Sequence, residues 1–193
     1  MNKSVINSKA ALLSIFVITV VLIVSCTAKD DANESWDIAP AEYASMAEQS
    51  LRYMENFDFD TWGEMLADDV EYYFPDGDAG IRTVLIGKRA VIDWWNNWQM
   101  TSGIEEMTFT EPVFLPVVAD EVPNYTGLPG YYVVSYFSNK MIYNGKEVNI
   151  RMNFTMHFND DQKIDRYFTY YDRTPIIEAV QTNILRPADP DSN

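Results

Sequence analysis

The chain is short of cysteine, histidine and basic residues, and each shortage narrows what it can do. Cys26 is the one cysteine in 193 residues, so no disulfide can form within the chain and the core must hold without one. His157 is the one histidine. Alone on its strand it reads as a structural or interface residue, because catalytic and metal roles need partners the pattern does not supply. Lys and Arg number 14 against 29 Asp and Glu, a net charge of -15. Such a surface repels phosphates, so nucleic acid is not an expected partner. The acidic pairs Asp68-Asp69 and Asp160-Asp161 fall at an element end and in a turn, without EF-hand spacing. No motif identifies a metal or a cofactor. Long apolar runs are scarce too: the principal one, Ala10 to Val24, falls short of the about 20 residues of a membrane span.

That run follows Lys3 and Lys9 and ends at Ser25-Cys26, which is the layout of a signal-peptide core. Ile23-Val24-Ser25-Cys26 resembles the bacterial lipobox, whose cysteine is lipidated and becomes the mature N-terminus. The resemblance implies a signal peptide over residues 1–25, lipidation of Cys26, and membrane attachment through the lipid alone. Cleavage would leave 168 residues (193 less 25), with 12 basic against 29 acidic side chains. Such a length suits one domain that buries roughly 70% of its unfolded surface. Thr27 after the cysteine suggests outer-membrane sorting, and Lys29-Asp30-Asp31 resembles an acidic surface-export tag. Residues 26–38 are polar and aperiodic, a flexible tether. The folded domain is expected over 39–182, with a disordered tail over 183–193.

Within the domain, Tyr43, Ala47, Leu51 and Met54 recur at helical spacing behind Pro40, predicting an amphipathic helix from Ala39 to Asn56. Asp60 is a plausible N-cap for a short second helix from Thr61 to Leu66. "VEYYFP" is a strand, with Val70, Tyr72 and Phe74 on one face and Glu71 and Tyr73 on the other. Gly87 opens a third helix whose Val91, Trp94, Trp95 and Trp98 share a side. Strands dominate the second half: an irregular one over 107–118, a long hairpin closed by Asn144-Gly145, and "KIDRYFTYYD". The fold class is therefore α+β, a curved antiparallel sheet with three N-terminal helices covering its concave face.

Hairpin register orders the faces. If Tyr143 and Lys146 flank the turn, Ser135 lies opposite Phe154, Phe137 opposite Met152 and Asn139 opposite Ile150. If Phe158 pairs with Lys163, Phe154 faces Tyr167 and Met152 faces Thr169. One face then carries Ser135, Phe137, Asn139, Met152, Phe154, Thr169 and Tyr171; the other carries Tyr136, Arg151, His157, Phe168 and Tyr170. A one-residue slip in either hairpin would exchange them.

The "ADDVEYYFPDG" segment, Gly87-Lys88-Arg89-Ala90-Val91 and the final "KIDRYFTYYD" together resemble the NTF2-like superfamily, and within it the SnoaL-like group, over roughly Ala41 to Val180. The resemblance implies a cone-shaped half-barrel enclosing a pocket, often in a homodimer. In ketosteroid isomerase-like members a general-base aspartate precedes the strand's proline, and that position is Phe74 here. Their second acid falls on Phe154, and their helix tyrosine is matched by Tyr53. The ionisable positions of limonene epoxide hydrolase-like members fall on Ser135, Phe137 and Thr169, which cannot activate water near neutral pH. The aspartate of polyketide cyclase-like members is matched by Asp172, four residues after Phe168.

Fold does not by itself specify function. The expected reading is a lipid-anchored cell-envelope protein, an outer-membrane lipoprotein exposed at the surface. Its pocket, walled by Tyr72, Phe74, Trp94, Phe137, Met152, Phe154 and Tyr171, binds a small apolar or aromatic molecule without catalysis. Ser135, Asn139, Thr169 and Tyr171 supply polar contacts. An alternative is a cyclase, isomerase or dehydratase with Asp172 as acid/base and Tyr53 or Tyr72 as hydrogen-bond donor. A third reading is an interaction module whose pocket is filled by its own rings, and the aromatic outer face suits a homodimer interface.

Overall fold

A computed structural model describes residues 36–184 except 79, 124 and 125. The expected signal peptide, Cys26, the tether as far as residue 35 and the tail from residue 185 lie outside the described residues.

Periodicity places the helices. Helix α1 (Ala41–Glu55) follows Pro40 at its N-cap and buries Tyr43, Ala47, Leu51 and Met54 as expected, together with Ser50. Helix α2 (Phe59–Gly63) starts two residues before the expected position. Asp58, not Asp60, caps it by accepting from the Thr61 N–H at 3.2 Å, because this phase buries both Phe59 and Trp62. Helix α3 (Lys88–Thr101) buries Val91, Trp95 and Trp98 and is preceded by Gly87 at φ 91°, a left-handed conformation that favours glycine. Helix α4 (Thr174–Val180) was not expected; Pro175 lies in its first turn.

Seven strands form one open sheet in the order β1-β4-β5-β6-β7-β2-β3. They are β1 (Trp36–Ile38), β2 (Leu66–Tyr73), β3 (Val84–Ile86), β4 (Ile104–Ala119), β5 (Gly130–Tyr143), β6 (Lys146–Phe158) and β7 (Ile164–Tyr171). All neighbours are antiparallel except β2 and β7, which run parallel. Residues 36–38, expected in the tether, instead form edge strand β1 against Val117–Ala119. The register of β4 shifts between Thr110 and Val113, where Glu111 takes φ 51° before Pro112. A bulge there bends the long strand.

The β5–β6 hairpin has the expected register, Ser135 opposite Phe154 and Phe137 opposite Met152. Asn144 and Gly145, at φ 48° and 76°, form the turn. The β6–β7 register differs from expectation by two residues: Phe154 pairs with Thr169 and Met152 with Tyr171. One step comes from the turn, where Phe158 pairs with Ile164, and the other from a bulge between His157 and Phe158. Two one-residue slips preserve the face while changing the partner. Val70, Tyr72, Phe74, Val133, Phe137, Met152, Phe154 and Tyr167 are therefore all buried on the concave side.

Candidate functional site

The deep part of the cone is filled by aromatic side chains. Trp62, Tyr72 and Tyr167 are fully buried; Tyr72 stacks on Tyr167 with centroids 5.1 Å apart, and Trp62 meets both rings edge-on. Ser50 at the α1 face accepts from Trp62 Nε1 at 2.8 Å. Phe74 packs against Trp94 at 4.6 Å, and Phe137 lies between Phe109 and Phe154 at 4.8 and 4.9 Å. Edge-to-face contacts of this kind are favourable beyond their buried area, so these rings hold the cone closed at depth.

Space remains where α3, the concave strands and α4 converge on a cavity of about 30 Å³. Of the ten expected pocket residues, Trp94, Asn139, Met152, Phe154 and Tyr171 line it. Tyr72, Phe74 and Phe137 are core. The other two expected polar contacts are spent on the sheet: Ser135 Oγ donates to Phe154 O at 2.6 Å, and Thr169 Oγ1 to Tyr73 O at 2.8 Å. Neither hydroxyl orients a guest. The rest of the wall includes Trp95, Trp98, Phe109, Met141, Tyr143 and Ile176. Helical spacing had grouped Trp95 and Trp98 with Trp94; the β4 and α4 residues carried no signal until their partners were known.

Two polar atoms on this wall are orphaned. Trp95 Nε1 and Asn139 Oδ1 are buried without a hydrogen-bond partner. The Asn139 amide nitrogen has only Met152 Sδ, at 3.7 Å. The phenol of Tyr143 donates to Met141 Sδ at 3.5 Å, a weak acceptor. Burial pushes the phenols of Tyr143 and Tyr171 well up from their ordinary value, so both are neutral at physiological pH.

The expected acid/base pair is not assembled. Asp172 is exposed and accepts from the Thr174 N–H at 2.9 Å at the start of α4. That bond holds its carboxyl below the ordinary range. An ionised cap facing solvent is not placed to move a proton in the cavity. Tyr53 is half-buried on α1 and does not line the cavity. The loop after β2 is anchored: Arg82 donates to Phe74 O and Thr169 O at 2.8 Å, and Asp76 accepts from Thr83 N and Oγ1 at 3.0 and 2.6 Å. Among the described residues no group of His, Cys, Asp and Glu is arranged to hold a metal.

His157, expected to lack partners, has two. Nδ1 lies 2.5 Å from Asp165 Oδ1 and Nε2 lies 3.0 Å from Pro129 O. Asp165 neighbours Arg166, which reaches Glu71 at 3.4 Å, and Glu71 accepts from the Tyr73 hydroxyl. This network crosses the outer face of the sheet and is remote from the cavity wall. It ties β2, β7 and β6 to the segment before β5. The bulge in β7 brings Asp165 to His157, which the unbulged register could not show.

No family profile and no curated protein matches this chain. Solved structures do. An NTF2-like protein from Burkholderia xenovorans LB400 superposes with a TM-score of 0.53 at 16% identity, over 75% of this chain and 99% of that one. An NTF2-like protein from Anabaena variabilis ATCC 29413 gives 0.50 at 17%, over 70% and 93%. SalBIII, an epoxide hydrolase/cyclase-like enzyme of pyran-ring formation in the polyether salinomycin, gives 0.51 at 19%, over 69% and 93%. At these identities the shared property is the fold: the chain has the α+β, cone-shaped architecture of NTF2-like proteins.

Proposed function

We propose that this chain is a lipid-anchored protein of the bacterial cell envelope, attached through Cys26, whose domain binds a small apolar or aromatic molecule without transforming it. The observation that carries the binding reading is the pair of orphaned atoms, Trp95 Nε1 and Asn139 Oδ1, on one apolar wall. Each buried polar atom left unpaired costs about 1–3 kcal/mol, and a core selected for stability alone has little reason to keep two on one cavity wall. Binding without turnover is supported by the ionisable groups on that wall: two phenols held neutral by burial, which can donate hydrogen bonds but not act as bases. The anchor rests on the lipobox-like sequence. Among the described residues no helix is long and apolar enough to cross a membrane.

A cavity of about 30 Å³ is far below the roughly 300–1,000 Å³ of common ligand pockets, so the guest enters by displacing part of the wall. Helix α4 is the part most easily moved. It buries only Ile176, and its C-terminal end is held by Lys146 Nζ on Ala179 O at 3.0 Å. Elements with so few buried contacts open at low cost.

The outer face is assigned to a second copy of the chain. Tyr136 and Tyr170 are about 43% and 42% exposed there, with Val113, which pairs with Tyr136, and Leu115 at 47% each, a composition suited to an interface. The small cavity favours one competing reading, an interaction module that works through this face alone.

The test is recovery of the guest. The full chain, purified without denaturation, is unfolded and the released small molecules are identified by mass spectrometry, beside Ile176→Trp, which plugs the cavity from α4. A compound released stoichiometrically from the wild type and absent from the variant supports binding. No compound, or equal amounts from both, overturns it in favour of the interaction module.

A further inference from the structure

We infer that the guest of this cavity is a neutral, planar aromatic molecule carrying both a hydrogen-bond donor and an acceptor, as in an aromatic carboxamide. The inference rests on the binding reading above and names the chemistry of its ligand. Trp95 Nε1–H can only donate and Asn139 Oδ1 can only accept, so a guest that offers both functions can satisfy the two orphaned atoms of the wall. Trp95 and Asn139 are 7% and 3% exposed, which leaves bulk water little access to either. Neutrality follows from the wall, which offers no counter-charge to repay the desolvation of an ion.

Planarity and aromaticity follow from the remaining surface. Trp94, Trp95 and Trp98 present rings on the wall, which Met54, Met107 and Met152 also line. Sulfur and ring edges both favour an aromatic body, and methionine adapts to its outline. At rest the space suits about two waters. A guest that displaces them and bonds to both orphaned atoms removes the cost of leaving those atoms unpaired.

The experiment uses the ¹⁵N-labelled full chain and three probes: benzamide, toluene and benzoate. Benzamide is expected to shift the Trp95 indole N–H resonance, identified through Trp95→Phe, and to bind roughly 10- to 100-fold more tightly than toluene, with benzoate weakest. In Asn139→Leu the preference for benzamide over toluene should shrink by about tenfold or more. If that variant fails to fold, Trp95→Phe serves the same comparison, since it keeps a ring and removes the N–H. Toluene binding as tightly as benzamide, or benzoate binding best, would overturn the ligand class and leave the binding reading standing. If none of the three perturbs any tryptophan resonance, the cavity is closed to aromatic molecules and the ligand class is overturned, leaving the binding reading to the recovery of the guest by mass spectrometry.

Discussion

Raising the pH should unfold this protein through its own tyrosines. Tyr72, Tyr143 and Tyr167 are enclosed by the core and Tyr171 is half-buried against it, and burial pushes each phenol well above its ordinary value. Below pH 10 both folded and unfolded states keep the proton, so these groups do not alter stability. Above it the unfolded chain releases protons that the folded one retains, and stability falls. Each phenol then removes about 1.4 kcal/mol at pH 11, with a limiting slope of about 1.4 kcal/mol per pH unit. Four together remove about 5–6 kcal/mol, comparable with the whole stability of a marginal domain at about 5–15 kcal/mol. The assay pairs near-ultraviolet phenolate absorbance with circular dichroism. These four of the 12 tyrosines should ionise only as the fold is lost. Tyr143→Phe should recover about a quarter of the loss. Ionisation of all twelve near pH 10 with unchanged dichroism would refute the reasoning, and with it the claim that the cavity's phenols are inert.

Ser50→Ala should lower the melting temperature by roughly 2–12 °C, since it strands Trp62 Nε1 in the core at about 1–3 kcal/mol; thermal unfolding followed by dichroism measures this, and no shift would show that the bond contributes nothing net. Asp172→Asn should leave the retained guest and its stoichiometry unchanged while loosening the first turn of α4, because the carboxylate faces solvent and caps Thr174; loss of the guest in that variant, read by the same mass spectrometry, would restore Asp172 to the site.

Much of the fold was legible for simple reasons. Alternation with period two assigns side chains to faces, and the Asn144-Gly145 turn fixes the β5–β6 register, so the buried set Phe137, Met152 and Phe154 could be read directly. The β6–β7 partners could not, because a bulge and a shifted turn each move the pairing by one residue without changing the face. Helix α2 was displaced because Asp58 and Asp60 are equally good caps until the burial of Phe59 and Trp62 chooses between them.

The site divides in the same way. The sequence by itself determined that the concave face is aromatic and largely uncharged: Phe74, Phe137, Phe154 and Thr169 occupy their positions whatever the depth of the cone. It also determined the acidity of the chain and the lone Cys26. Only the tertiary structure decided which side chains meet. Face assignment carries no information about position along the cone, so it could not separate core rings such as Tyr72 from wall rings such as Trp94. Nor could it show that strand carbonyls consume the hydroxyls of Ser135 and Thr169. Hydrogen-bond satisfaction depends on three-dimensional neighbours, and that is why Trp95 Nε1 and Asn139 Oδ1 emerged as the unpaired atoms only when β5, β6, α3 and α4 were brought together.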